Sequence, residues 1–256
     1  MSWSAEQYVA FEGERTRPVR DLLAAVPAGY GGRLIDLGCG PGNSTEVLSA
    51  RYPEARVSGI DSSLDMIEAA RKRLPKIEFS VGDIAAWCEP GAFDVILANA
   101  VLHWLPDHAS LLPALVAKLV RGGALAVQMP DNLAEPAHRL MRETALQGPW
   151  AAKLAKAAET RTTLNDALWY FDVLRPHAAR VDVWRTTYHH QLKGGVGAVV
   201  EWFKGSGLRP FLDPLDAGER TEYLRRYSAA LAPFFPERPD GSVLLPFPRL
   251  FMVAVR

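Results

Sequence analysis

Asp36-Leu37-Gly38-Cys39-Gly40-Pro41-Gly42 follows directly on the apolar run Leu34-Ile35, and its reading decides the fold. Glycine lets the backbone turn tightly and approach a ligand with no Cβ in the way. A buried strand ending in such a loop, with a helix starting behind it, presents unpaired N–H groups to whatever the loop holds. Working outward, Arg33 to Leu37 reads as strand one, and Asn43-Ser44 as the cap of a helix running to Arg51. Arg56 to Ile60 is strand two, ending at Asp61. Ser62 or Ser63 then caps a helix over Leu64 to Leu74, in which Met66, Ile67, Ala70 and Leu74 fall at helical spacing. Ile77 to Val81 and Phe93 to Ala98 are strands three and four. Leu111 to Val120 reads as a helix stopped by Gly122-Gly123, and Ala124 to Gln128 as strand five. Near-continuous apolar strands alternating with helices predict an α/β domain with a doubly wound, mostly parallel sheet. Its ligand is expected at the carboxyl ends of the strands. Asp36, Asp61, Asp83 and Asn99 all fall on that edge.

The rhythm changes after Met129-Pro130. Residues 131–175 read as mostly helical, with breaks at Gly148-Pro149 and around Thr160 to Asn165, which suggests a capping insertion. Val181 to Tyr188 alternates and is rich in β-branched and aromatic residues, so it reads as strand six. Ala198 to Lys204 and Ala217 to Leu231 read as helices. The run Leu250 to Val255 has no polar face and fits an inner strand, the seventh. The expected organisation is an N-terminal helical lid over residues 1–30, a ligand-binding α/β core over 31–130, and a helical cap and substrate region over 131–256 that returns the last two strands to the sheet.

Charge and cysteine content exclude several classes. The chain has 29 Lys+Arg against 29 Asp+Glu, so it lacks the basic excess of a nucleic-acid binder held by counterion release. Up to Pro130 there are 12 basic and 15 acidic residues, which puts a slight positive lean in the second half. Cys39 and Cys88 are too few for a disulfide framework and lack metal-ligand spacing. His189-His190 would face opposite sides of a strand, so no metal site is expected. The beginning of the chain carries Glu6, Glu12 and Glu14 rather than the apolar core of a signal peptide. The longest apolar stretch, Val95 to Leu105, is interrupted by Asn99 and His103 and falls short of the ~20 residues that span a bilayer. These features predict a cytoplasmic protein with neither nucleic acid nor membrane as partner, read here as a monomer.

The spacing of the loop narrows the ligand. A nicotinamide or flavin fingerprint is G-x-G-x-x-G, whereas this loop is G-x-G-x-G with Pro41 between its last two glycines. No G-x-x-x-x-G-K-[ST] is present for a triphosphate. Asp61 lies 21 positions after Gly40 at the end of strand two, where an acid accepts hydrogen bonds from ribose hydroxyls. A ribose without a pyrophosphate points to S-adenosyl-L-methionine.

In these features the chain resembles the class I S-adenosylmethionine-dependent methyltransferases. Asp36 to Gly42 resembles their first motif, Asp61 their ribose acid, and Gly82-Asp83-Ile84 their adenine-edge motif. Asn99-Ala100 sits where these enzymes line the methionine moiety. The cofactor residues so implied are Asp36, Gly38, Cys39, Gly40, Asn43, Asp61, Ser62, Met66, Asp83, Ile84, Asn99 and Ala100. A narrower resemblance, to the trans-aconitate 2-methyltransferase family, runs through nearly the whole chain. It is carried by Glu14 to Pro18, Gly38 to Ser44, Gly59 to Ser63, Trp104 to His108, Leu125 to Asn132, Trp184 to Tyr188, Gly207 to Pro210 and Phe247 to Phe251. One position departs from the family pattern: His103 stands where a glutamine is expected. The resemblance implies methyl transfer to one carboxylate of trans-aconitate, giving a monomethyl ester.

Such a reaction needs no catalytic acid or base. A carboxylate with a pKa near ~4 is already a nucleophile at neutral pH, so positioning and charge pairing carry the work. His103 and Trp104 are expected to position the reactants. A polycarboxylate must be held by fixed donors, and the bidentate fork of arginine suits this. Arg15, Arg17, Arg185, Arg209 and Arg249 are the candidates, each taken alone being more often a surface residue than a ligand. Tyr8 and Tyr188 are candidates for closing the site. The residues leave two alternatives open: transfer to another small-molecule acceptor, or a binding protein that holds the cofactor without catalysis.

Overall fold

The computed structural model describes residues 12–158 and 163–256. Seven strands form one sheet in the order β3-β2-β1-β4-β5-β7-β6. They are β1 (Arg33–Leu37), β2 (Arg56–Asp61), β3 (Glu78–Val81), β4 (Phe93–Asn99), β5 (Leu119–Pro130), β6 (Arg180–Lys193) and β7 (Ser242–Val255). The helices are α1 (Glu12–Ala25), α2 (Asn43–Arg51), α3 (Leu64–Arg73), α4 (His108–Ala117), α5 (Pro136–Leu146), α6 (Ala151–Ala158), α7 (Ala167–Leu174), α8 (Gly195–Lys204), α9 (Arg209–Leu212) and α10 (Ala217–Leu231). The pairs β1–β2, β1–β4, β2–β3 and β4–β5 are parallel. β7 runs antiparallel to β5, since the Gly122 N–H donates to the Arg256 carbonyl near one end and the Asp131 N–H to the Pro248 carbonyl at the other. The sheet is doubly wound and mostly parallel, and strand order reverses between β1 and β4, which opens a crevice at their carboxyl ends.

The central strands explain why they are central. Leu34, Ile35, Val95, Ile96, Leu97, Leu125, Ala126 and Val127 are all at most 1% exposed, as a sheet covered on both faces requires. On α3, Met66, Ile67 and Ala70 are buried, and Ile67 and Ala70 share a small core with Phe79 and Cys39. The helix closes with Arg71, Lys72 and Arg73 at its negative end. Among the described residues, no helix is long and apolar enough to cross a membrane.

Three element boundaries depart from the sequence reading. Gly122-Gly123 does not stop a helix. The helix ends at Ala117, and the glycines lie in β5 where the register slips, Phe93 pairing with Leu119 but Val95 with Ala124. Gly122 takes φ 81°, which lets the extra residues bulge without breaking the strand. β6 and β7 are longer than read because β7 extends through Pro246 and Pro248, residues that look like breakers in sequence. Asn43 and Ser44 sit inside α2 rather than capping it. The N-cap is Gly42 at φ 90°, and the Ser44 hydroxyl has another partner.

The chain divides into two compact units. The first holds the described parts of Met1–Pro130 with Leu164–Thr186 and Leu250–Arg256. Within it Val19, Leu22 and Leu23 of α1 are buried, and Trp184 stacks on Phe251 at 5.0 Å. The second holds the described parts of Asp131–Thr163 and Thr187–Arg249. There α10 is joined to α5 by buried tyrosines: Tyr223 donates to the Met141 carbonyl at 2.9 Å and Tyr227 to the Ala137 carbonyl at 3.0 Å.

Candidate functional site

The glycine loop is held from below by β2. The N–H groups of Gly38 and Cys39 both donate to the Ile60 carbonyl, at 2.8 and 2.9 Å. Gly38, Gly40 and Gly42 all have positive φ, at 68°, 54° and 90°. The reasons differ between the first two. A Cβ on Gly38 would lie 2.3 Å from Val101 Cγ2, so this glycine is demanded by packing. A Cβ on Gly40 would meet nothing within 4 Å, so the space above Gly40 is open for a ligand.

Acids at the strand ends organise this loop before any ligand arrives. Asp36 is fully buried, and its Oδ2 accepts from the Ser44 and Thr45 hydroxyls, both at 2.7 Å. Burial raises its pKa from 3.8 to about 7 against the pull of those two hydroxyls, and the charge on Asp61 raises it further. Asp61 is shared: Oδ2 accepts from the Gly40 N–H at 3.0 Å and Oδ1 from the Ser63 N–H at 2.9 Å. A carboxylate oxygen can accept more than one hydrogen bond, so both oxygens keep capacity for a hydroxyl. Asp83 accepts from the Ala85 N–H at 2.9 Å and caps the short 3₁₀ turn Ile84–Ala86, while Ile84 itself is buried. Ser62 is exposed and Met66 is buried, near the start of α3. The Cys39 thiol is buried, and burial together with the Asp36 and Asp61 charges pushes its pKa far up, which disfavours a thiolate.

β4 ends at Asn99 beside Gln128 of β5. Ala100 then takes φ 54°, unusual for a residue with a Cβ, and is held there by its N–H donating to the Gln128 carbonyl at 2.8 Å. The turn Leu102–Trp104 follows, with His103 buried and its ring 4.9 Å from that of Trp104, which is 37% exposed.

Among the described residues, buried Asp36 Oδ1, Asn43 Nδ2 and Asn99 Oδ1 have no hydrogen-bond partner. Buried polar atoms are rarely left so, because each costs about 1–3 kcal/mol. The Asn43 amide on the first turn after the loop and the Asn99 carbonyl oxygen at the neighbouring strand end offer one donor and one acceptor, as a group that carries an ammonium and a carboxylate requires. That is the amino-acid end of S-adenosylmethionine, and with Asp61 as acceptor for its ribose the residues present fit this cofactor.

The substrate candidates are distributed between the units. Arg17, on α1, is exposed with its Nε 3.9 Å from Asp21, and Arg185 is exposed on β6; both belong to the first unit. Arg209 is half-buried at the start of α9 in the second unit. There the structure also brings Tyr188 and Arg249 into one cluster. Tyr188 stacks on His190 at 6.3 Å, His190 meets the edge of Phe247 at 5.7 Å, and the Arg249 guanidinium lies 4.7 Å from the centre of that Phe247 ring. Arg249 is 4% exposed, and a guanidinium so deeply buried is not a solvated surface charge. Tyr8 and the side chain of Arg15 lie outside the described residues. Among the described residues, no group of three His, Cys, Asp or Glu side chains is arranged to hold a metal ion.

Sequence reading missed the Ser44 and Thr45 pair that clamps Asp36. The signal was present, as two hydroxyl residues in the first turn after the glycine loop, but it was read as a cap. It also missed the part Gln128 plays in holding Ala100, which no single-strand pattern reveals.

Residues 34–123 match the family model described as a methyltransferase domain. A trans-aconitate 2-methyltransferase of Methylobacterium nodulans (strain LMG 21967 / CNCM I-2342 / ORS 2060) is 56% identical over 254 residues, covering 99% of this chain and 98% of that one. One of Rhodopseudomonas palustris (strain BisB5) is 54% identical over 254 residues, covering 99% of both. Among solved structures, the YcgJ protein from Bacillus subtilis superposes with a TM-score of 0.62 at 11% identity, covering 94% of this chain and 98% of that one.

Proposed function

The chain belongs to the trans-aconitate 2-methyltransferase family of class I methyltransferases, and from that premise we propose how its residues perform the reaction. It is a methyltransferase enzyme with S-adenosylmethionine as cofactor, and it esterifies one carboxylate of trans-aconitate. The observation that best supports this reading is the open side of Gly40, whose N–H is held by Asp61 at the end of β2. When bound, S-adenosylmethionine supplies an electrophilic methyl group on a sulfonium.

Everything else falls to the protein. Asp61 would accept from the ribose hydroxyls, Asn99 would accept from the ammonium and Asn43 would donate to the carboxylate of the cofactor, while Asp36, clamped by Ser44 and Thr45, would support the loop that holds it. Gly82 to Ile84 would border the adenine, with Ser62 and Met66 beside it. A carboxylate oxygen of the acceptor is already ionised at neutral pH, so no side chain needs to remove a proton. The arginines pair the carboxylates that do not react and hold the reacting one in line. Arg249, with Tyr188 in its cluster, is the best supported of them because of its burial. Arg17, Arg185 and Arg209, with Arg15 and Tyr8, complete the candidate set. His103 and Trp104 close the site beyond Asn99. The free thiols Cys39 and Cys88 suit a cytoplasmic setting.

Methyl-transfer rates on trans-aconitate, cis-aconitate, citrate and isocitrate test the reading, and trans-aconitate is expected to be the best acceptor. Absence of turnover on every polycarboxylate overturns the substrate assignment. Arg185→Ala is expected to raise KM for the acid about tenfold while the cofactor Kd stays within twofold. A loss of cofactor binding instead removes Arg185 from the acceptor site. Gly40→Ala is expected to fold at a cost of about 1–2 kcal/mol for its left-handed φ, yet to bind S-adenosylmethionine at least about tenfold more weakly. Unaltered affinity in calorimetry shows that the cofactor does not pass over Gly40.

A further inference from the structure

The turn that carries His103 and Trp104 is fixed by a buried pair of side chains outside the site described above. The Leu102 carbonyl accepts from two donors, the Leu105 N–H at 2.8 Å and His108 Nε2 at 2.8 Å. On the other side of the ring, His108 Nδ1 lies 2.7 Å from the Tyr170 hydroxyl. Tyr170 and Leu102 are completely buried and His108 is 7% exposed, so water does not compete for these bonds. A carbonyl can only accept, so Nε2 carries the hydrogen. A neutral ring then offers Nδ1 as an acceptor, and the Tyr170 hydroxyl donates to it. The Leu102 carbonyl thus sets the tautomer, while Tyr170 on helix α7, more than sixty residues further along the chain, anchors the ring at Nδ1, and the Nε2 bond closes the loop from Leu102 to His108. His108 is itself placed at the first turn of α4, where Asp107 caps the helix by accepting from the Ser110 N–H at 3.1 Å.

We propose that His108 and Tyr170 are positioning residues for methyl transfer: Tyr170 anchors the ring of His108 by donating to Nδ1, and His108 holds the Leu102 carbonyl so that His103 and Trp104 stay fixed beyond Asn99. The proposal rests on the reading that this turn borders the transferred methyl group. Neither residue touches the reactants. Their loss therefore loosens the geometry of transfer without removing a contact to cofactor or acid, which separates the effect on kcat from that on binding.

The experiment combines steady-state kinetics with nitrogen-15 spectra of histidine-labelled protein. Tyr170→Phe keeps the ring packing and deletes one hydroxyl. It is expected to lower kcat about 5- to 20-fold with KM for S-adenosylmethionine and trans-aconitate within about twofold. In the spectra, wild-type His108 is expected to carry its hydrogen on Nε2, and the Nδ1 resonance is expected to shift in Tyr170→Phe as its hydrogen bond is lost. His108→Gln places an amide N–H at the reach of Nε2 and is expected to retain more of the rate than His108→Asn, which does not. Wild-type kcat in Tyr170→Phe, or a wild-type ring protonated on Nδ1 alone, overturns the proposal. If the wild type turns over no polycarboxylate, the substrate reading falls. The spectra then decide this proposal alone, an Nε2–H ring whose Nδ1 resonance shifts in Tyr170→Phe supporting it and an Nδ1 resonance unchanged in Tyr170→Phe overturning it.

Discussion

Asp61→Ala is expected to weaken S-adenosylmethionine binding by at least about 100-fold. The carboxylate does two things at once. It holds the Gly40 and Ser63 N–H groups, at 3.0 and 2.9 Å, and so fixes the open glycine of the loop relative to the start of α3. In the proposed pose its remaining acceptor capacity serves the ribose hydroxyls. A hydrogen bond to a charged group is worth about 1.5–3 kcal/mol, and losing two of them amounts to about 3 kcal/mol or more. At about 1.4 kcal/mol per tenfold in affinity, that is at least about 100-fold. Asp61→Asn, which keeps one acceptor oxygen, is expected to fall between the two. Calorimetric titration of all three proteins, with circular dichroism to confirm the fold, makes the comparison. A Kd for Asp61→Ala within threefold of the wild type contradicts the ribose assignment.

The second large effect is on stability and its dependence on pH. Asp36 is fully buried, and its pKa is raised from 3.8 to about 7, chiefly by burial. Between about pH 4 and pH 7 the folded protein therefore keeps a proton on this carboxyl that the unfolded chain has already released. Folding stability then falls as pH rises through that window, with no further change from this group above or below it. At about 1.4 kcal/mol per pH unit the loss approaches about 4 kcal/mol. Asp36→Asn mimics the protonated carboxyl, since its amide oxygen still accepts from Ser44 and Thr45, and it carries no charge at any pH. Urea denaturation without cofactor is expected to give wild type and variant similar stabilities near pH 4. At pH 8 the variant is expected to be more stable, by up to about 4 kcal/mol. A difference that stays within 1 kcal/mol across the range means that Asp36 folds ionised.

Much of the cofactor half was legible in the chain because its signals are local. A glycine loop after an apolar strand, an acid 21 positions on, and apolar strands too continuous for a half-exposed sheet are all read within short windows. The misreadings came where a local signal had a partner far away. Gly122-Gly123 looks like a helix stop, but α4 ends earlier and the glycines serve a bulge paired with β4. Pro246 and Pro248 look like breakers, yet β7 continues through them. Ser44 looks like a cap, but its hydroxyl is taken by Asp36, eight residues earlier.

The acceptor half divides along the same line. Five arginines stand out by motif, and Arg185 stands out among them because it follows Val181 and Val183 on one strand face. Burial ranks them otherwise: Arg249 is 4% exposed against the ring of Phe247, whereas Arg17 and Arg185 face solvent. The sequence by itself determined the doubly wound sheet, the cofactor class and the family, because strand period, glycine spacing and an acid at a fixed distance are properties of neighbours along the chain. Only the tertiary structure decided which polar atoms are buried, that burial raises the pKa of Asp36, and that Tyr170 reaches His108. Desolvation and hydrogen-bond pairing are set by what surrounds a group in space, and the chain order that codes for a strand or a turn carries no record of them.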